Sequence, residues 1–397
     1  MMCLIKKGKH LGLFIFPFVL PLPLPMKYSV MALIIFIINL ILLLKKDFFL
    51  NLKSIVINPL IIIFLLFFLT DFISALTRLN LEGKIFREVK ISFFILPIVI
   101  LIQKKLVIKQ FANILKSFFY GVLTYIVFVW GYLYYFYTIK HPSFIFDFTD
   151  HYVIYVLARE TPNSIHHTYI GLYILLITIL IFTNTILYKK INTLIGLFLT
   201  LFFLINSFYI GGKSTTILLI IFLVIILLKS VFKGVKIKGF KYYILGLILT
   251  VLVGVNGIYE WLTVSVKQSL GLRIDIYKRC IEVALEALPF GIGKDKLNNI
   301  PLDNNLIKGE RLITHNIYFN ELIINGFIGL FILLIMIFYI CYVGYRSSII
   351  FLLFILSIAI TGLIEDLFVR QGGILFFVFF TCIFYVSKQK IESFKLL

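Results

Sequence analysis

Residues 217–228 read ILLIIFLVIILL, twelve positions without one polar side chain, and stretches nearly as apolar recur along the whole chain. Such a run offers water no face, and it lacks the alternation of apolar and polar residues that a membrane barrel strand carries. In lipid its backbone donors and acceptors must be satisfied within the segment, which a helix does. Because a helix needs about 20 largely apolar residues to cross the hydrocarbon layer, the stretches expected to span are 11–25, 28–44, 59–76, 89–103, 117–139, 168–187, 191–210, 215–232, 242–258, 322–345, 347–363 and 372–387. The composition agrees. Hydrophobic residues make up 61% and charged residues 14%, against about 45–50% and 25% in soluble domains. That excludes a soluble globular enzyme, a disordered chain and a coiled coil. The expected fold is an all-α integral membrane protein with about twelve transmembrane helices, read as a single polytopic domain over 1–397.

The first stretch, LGLFIFPFVLPLPLP, carries four prolines behind a basic leader of Lys6, Lys7 and Lys9. No small-residue cleavage site follows, so it reads as an uncleaved span rather than a signal peptide. The net charge of +20 would suggest nucleic acid in a soluble protein. Here it is a topology signal. With the chain starting inside, the cytoplasmic segments hold 21 of the 38 basic residues and only Asp47 and Glu392 among the acidic ones. Positive residues favour the cytoplasmic side, so both termini are expected there. Two long segments, about 140–167 and 259–321, then lie outside. The four cysteines (Cys3, Cys280, Cys341, Cys382) show neither metal-ligand spacing nor a pair of outside partners.

The chemistry-bearing residues gather on the outside. His141, His151, His166, His167 and His315 fall there or at its boundary, where ATP is not available, and no phosphate-binding glycine motif appears. In the second loop, residues 270–288 (LGLRIDIYKRCIEVALEAL) read as an amphipathic helix with Leu270, Ile274, Tyr277, Ile281, Ala284 and Leu288 on one face. Asp275 and Arg279 have i,i+4 spacing, and Pro289, Gly291 and Gly293 end the helix. Arg273 at the edge of that face reads equally as a snorkelling anchor or as a guanidinium for phosphate. THNIYFNELIINGFIGL (314–330) puts His315 where the loop re-enters the membrane, with Asn316 placed to start the helix. His315 alone reads first as a capping residue, and its spacing to Glu321 implies no pair. Lys213 lies at the tip of a hairpin, IGGKSTT, where a charge must reach water or an anion. His166 and His167, being adjacent, do not form the i,i+4 pair of a zinc site. Asp147 and His151 have local-pair spacing, while Glu365, Asp366 and Arg370 read as mutually neutralising.

These segments together resemble the O-antigen ligase and polymerase superfamily of bacterial envelope glycosyltransferases. IGGKSTTILLI (210–220) is similar to the family's outer hairpin. GLRIDIYKRCIEVALEALPFGIGKDKL (271–297) is similar to its loop helix with a closing Pro and Gly-x-Gly turn. THNIYFNELIINGFIGL is similar to its His-Asn-x-Tyr helix, and SIHHTYIGLY (164–173) to a His-rich segment of some members. The resemblance places a ligase-like region at about 195–345 and a large, partly helical periplasmic loop over a cavity. It implies transfer of a glycan from undecaprenyl pyrophosphate to an acceptor hydroxyl, on lipid A–core or another envelope acceptor. The setting is the outer face of the inner membrane, in contact with membrane lipid. No cofactor, metal, nucleotide or nucleic acid is implied. Arg273 and Lys213 would hold the pyrophosphate and His315 would activate the acceptor, with Arg279, His167 and Tyr318 as further substrate-binding residues. Lys213 stands where the family usually has arginine, which keeps the charge but not the planar fork. A repeat-unit polymerase shares every one of these features. A precursor transporter or flippase is the alternative of another class. It would place ionisable groups at the midplane, whereas here they gather at span ends and Asp71 alone approaches a span interior.

Overall fold

The structure, a computed structural model, describes residues 11–43, 57–78, 90–140, 161–232, 266–297, 300, 313–388 and 390–391. Every regular element among them is helical. In chain order they are α1 (Gly12–Val19), α2 (Met26–Leu42), α3 (Pro59–Arg78), α4 (Ser92–Ile102), α5 (Lys104–Tyr135, followed by a π turn), α6 (His167–Ile186), α7 (Thr193–Ile210), α8 (Lys213–Phe232), α9 (Val266–Ala287), α10 (Lys294–Leu297), α11 (Ile317–Ser347), α12 (Ile349–Thr361) and α13 (Gln371–Ser387). Five of them, α5, α6, α7, α8 and α11, are long and apolar enough to cross a membrane. The expected span 242–258, His141, His151, Asp147 and most of the 140–167 loop lie outside the described residues.

Hydrophobic pattern decides where each helix sits. In α6 every residue from Thr168 to Ile186 is buried, as expected of a helix apolar on all sides. It is walled by α5, α7, α8 and α12. The phenylalanines of α13 form the second centre. Phe376 and Phe380 meet Phe118 of α5 and Phe354 of α12, while Phe379 takes Phe16 and Phe36 edge-on. Edge-to-face packing of this kind binds helices where lipid offers no hydrophobic driving force. The outer helices instead leave one apolar face uncovered: Leu194, Phe198 and Ile205 on α7, Ile221 and Leu228 on α8, Phe331 and Phe338 on α11. A soluble protein would not leave so much large apolar surface open.

Three local expectations change. The first expected span is helical only over Gly12–Val19, because Pro21, Pro23 and Pro25 supply no backbone N–H to continue it. The basic stretch 103–116, expected as a connection, is the first half of the 32-residue α5. In α9 the buried face is Ile276, Cys280, Val283 and Ala284, whereas Ile274 and Ile281 of the expected face are exposed.

The rotation of α9 follows from how its end is held. At Gly326, φ is +66° and ψ −160°, which breaks α11 one and a half turns below Glu321. The break leaves backbone groups that the helix no longer pairs, and the turn after α9 takes them. Phe327 N–H donates to Pro289 O at 3.0 Å, while Ile292 and Gly293 N–H donate to the carbonyls of Ile323 and Ile324 at 2.7 and 3.0 Å. The approach requires glycine on both sides. A Cβ at Gly326 would lie 2.0 Å from Pro289 O, and one at Gly291 would lie 2.5 Å from Gly326 N. The Gly-x-Gly turn and the Gly326 break are therefore the two halves of one interlock, and it fixes α9 over the start of α11.

Candidate active site at the His315 end of the bundle

His315 precedes α11 in a left-handed conformation, φ +45°, which histidine tolerates better than most residues but which still costs about 1–3 kcal/mol. Its surroundings hold it there. Asn316 caps α11, its Oδ1 accepting from the Tyr318 and Phe319 N–H at 2.8 and 3.1 Å. The same side chain donates to Leu363 O at 3.1 Å, and Ile317 N–H donates to Gly362 O at 2.9 Å. Tyr277 of α9 donates to Leu363 O as well, at 2.9 Å, with its ring on Phe319. Three elements (α9, the head of α11 and the turn after α12) thus share two adjacent carbonyls.

That turn delivers Glu365. Its Oε1 lies 3.8 Å from His315 Nδ1, and the carboxylate is mostly buried while the imidazole is about a third exposed. Burial opposes the ionised form of Glu365, but the imidazole of His315 facing it and the charges of His166 and His167 outweigh it and hold the carboxyl below the usual range. Asp366, next in sequence, turns inward. Its Oδ1 accepts from Phe368 N–H at 3.2 Å and its Oδ2 from Thr314 Oγ1 at 3.5 Å. Burial pushes its carboxyl up to about 7 against the pull of Lys90, with Glu321 and Glu365 adding to the rise. The expected neutralisation of Glu365 and Asp366 by Arg370 is replaced by these contacts.

The other motif segments close the same end. His166 and His167 open α6, their rings 4.2 Å apart. Gly212 N–H donates to His167 O at 3.0 Å, and a Cβ at Gly171 would lie 2.1 Å from Thr215 Oγ1. The glycines let α6 and the α7–α8 hairpin touch backbone to backbone. Lys213, half-buried, is the first residue of α8. The N-termini of α6, α8 and α11 therefore emerge at one end of the bundle, each bringing the positive end of a helix dipole, although the first N–H groups of α11 are already taken by Gly362 and Asn316. Added to Lys213, they make that end favourable for an anion such as a phosphate.

The predicted residues divide accordingly. His315 and His167 both act on Glu365, and Lys213 follows Gly212, whose N–H donates to His167 O. Arg273 is half-buried on α9, close enough for its charge to act on the Tyr277 hydroxyl. Tyr318 points back into the bundle, its hydroxyl donating to Ala359 O at 2.9 Å. Arg279 pairs with Glu282 at 2.9 Å on the flank of α9. Among the described residues, no three His, Cys, Asp or Glu side chains are grouped to hold a metal.

Below the site lies a buried ionic cluster that sequence reasoning missed. Lys90, just before α4, binds Asp71 of α3 at 3.1 Å and Glu321 of α11, and its ammonium lies 4.8 Å from the ring centre of Phe67. Asn325 donates to Asp71 Oδ1 and to Glu321 Oε2, both at 2.8 Å. Asp71 is thus not alone within the spans. The cluster ties α3, α4 and α11 together close to the His315 end, since Glu321 is only about 6 Å along α11 from its first residue. The available signals were Asp71 inside an apolar run and the i,i+4 spacing of Glu321 and Asn325.

No curated protein sequence matches the chain. Residues 195–334, which run from α7 through the hairpin and α9 into α11, match the family model described as O-antigen ligase, and over that region the chain is similar to that family.

Proposed function

We propose that the protein transfers a glycan from undecaprenyl pyrophosphate to an acceptor hydroxyl of lipid A–core or another envelope molecule. The reaction takes place at the outer face of the inner membrane, both termini being cytoplasmic and the 140–167 and 259–321 loops outside. The observation that carries this reading is the meeting of His315 and Glu365 with the Lys213 and His167 helix starts at one end of the bundle. The base stands beside a place suited to a diphosphate. Lys213 and Arg273 hold the pyrophosphate and stabilise the charge that builds on it as the bond from the sugar carbon to phosphate oxygen breaks. His315 takes the proton of the acceptor hydroxyl, whose oxygen forms the new bond to that carbon from the opposite side and inverts it. Undecaprenyl pyrophosphate leaves.

Two other readings bear on the same residues. A repeat-unit polymerase differs only in its acceptor. The buried Lys90, Asp71 and Glu321 are the sort of group a transporter places within its spans, but they tie three helices together near one end rather than lining the midplane. Purified protein in detergent, given a lipid-linked glycan and candidate acceptors, separates all three. One added block is the expected product, a ladder means a polymerase, and no transfer without a sealed bilayer would leave the transporter.

A further inference from the structure

We propose that Glu365 is the positioning residue of His315, a role that rests on the transfer reaction described above. Three observations carry it. The imidazole Nδ1 is buried, faces Glu365 Oε1 at 3.8 Å and has no hydrogen-bond partner, so the exposed part of the ring is its other edge. The carboxylate is not free to leave. Glu365 N–H donates to Thr361 O at 2.9 Å, and the turn around it is clamped through Gly362 and Leu363 to the same Asn316 and Ile317 that follow His315. The histidine backbone is itself in a left-handed conformation, φ +45°, held by that clamp.

The chemistry follows from the geometry. A carboxylate opposite Nδ1 favours the tautomer with its proton on Nδ1 and leaves Nε2, at the exposed edge, as the lone pair that accepts from the substrate. When the acceptor hydroxyl gives its proton to Nε2, the imidazolium that forms is stabilised by the carboxylate, which accepts a hydrogen bond but not the proton. The gap of 3.8 Å exceeds a hydrogen bond, and such contacts commonly tighten only with substrate in place. The groups facing the pair are His166, His167 and Tyr169 from α6, Tyr277 with Arg273 from α9, and Asp366 beside it. The two α6 imidazoles act on the same carboxylate and compete with His315 for it when they are charged.

The test compares Glu365→Gln, Glu365→Asp and Glu365→Ala with His315→Ala in the detergent transfer assay. For E365Q the expected result is a kcat lower by about 10–100-fold, an unchanged KM for the lipid-linked donor, and an acidic limb of the pH–rate profile moved to lower pH. For E365D the limb stays in place and most of kcat returns. A merely structural glutamate would not move the limb. Wild-type kcat in E365Q overturns the proposal, as does an E365D variant no better than E365A. Those results leave the transfer reading intact so long as His315→Ala is inactive; full activity of His315→Ala would remove the reading itself.

Discussion

Replacing Lys90 by methionine keeps most of the side chain's volume and removes the ammonium between Asp71 and Glu321. At the 3.1 Å separation from Asp71, opposite unit charges attract by about 5 kcal/mol at an effective dielectric near 20. Much of that is offset by the desolvation of all three groups, so the intact cluster contributes little net stability. The loss of one partner is different. Two carboxylates would remain in a space where Glu321 is 1% exposed, with only Asn325 Nδ2 donating to both, and stranded charges of this sort cost about 3–5 kcal/mol. Thermal unfolding of the detergent-purified variant should therefore fall by roughly 5–10 °C. The triple variant Lys90→Met, Asp71→Asn, Glu321→Gln should recover most of the loss, since neutral amides remove the uncompensated charge. A Lys90→Met protein that melts within about 1 °C of wild type, or a triple variant less stable than the single one, would refute this reasoning about the cluster.

Gly291→Ala or Gly326→Ala forces a Cβ into the interlocked backbone at 2.5 or 2.0 Å and should abolish recovery of folded, active protein. Gly131→Ala on α5, with nothing within 4 Å, should be neutral or gain up to about 1 kcal/mol by the same unfolding measurement. Lys213→Arg should retain transfer to within about threefold, and Lys213→Ala should lose on the order of 10²-fold; equal activities would make Lys213 a surface anchor only. Asp366 has a folded-state pKa raised from 3.8 to about 7, so the folded protein binds the extra proton. The stability this contributes is full below about pH 4 and is lost as pH rises to about 7. Melting temperature should therefore fall between pH 5.5 and 8, and Asp366→Asn should flatten that fall.

The helical class was readable because an apolar run of sufficient length has few other solutions; among the described residues five helices are long and apolar enough to cross a membrane, and α6 and α13 show that burial within the bundle needs no further signal. The first span misled for a physical reason. Hydropathy measures transfer into lipid, whereas Pro21, Pro23 and Pro25 act on backbone hydrogen bonding. The motifs at 164–171, 210–216, 271–297 and 314–330 did mark the elements that meet at one end. What they did not reveal is how they meet. The Gly-x-Gly turn read as a helix stop and serves also as half of an interlock with Gly326, some 35 residues on. Glu365 looked satisfied by its neighbour Arg370, and its contact with His315 crosses two helices. Lys90 and Glu321 are 231 residues apart, and no local pattern encodes such a pairing. The buried face of α9 was set by the same interlock, against the period read from residues 270–288.

The proposed reaction makes His315 the group that takes the acceptor's proton next to a bound diphosphate. The direct measurement is paired binding and transfer by wild-type protein and His315→Ala, both purified in detergent, with a lipid-linked glycan as donor. The account predicts that the variant binds the donor with unchanged affinity and forms no product. Product formed by His315→Ala at the wild-type rate would contradict it.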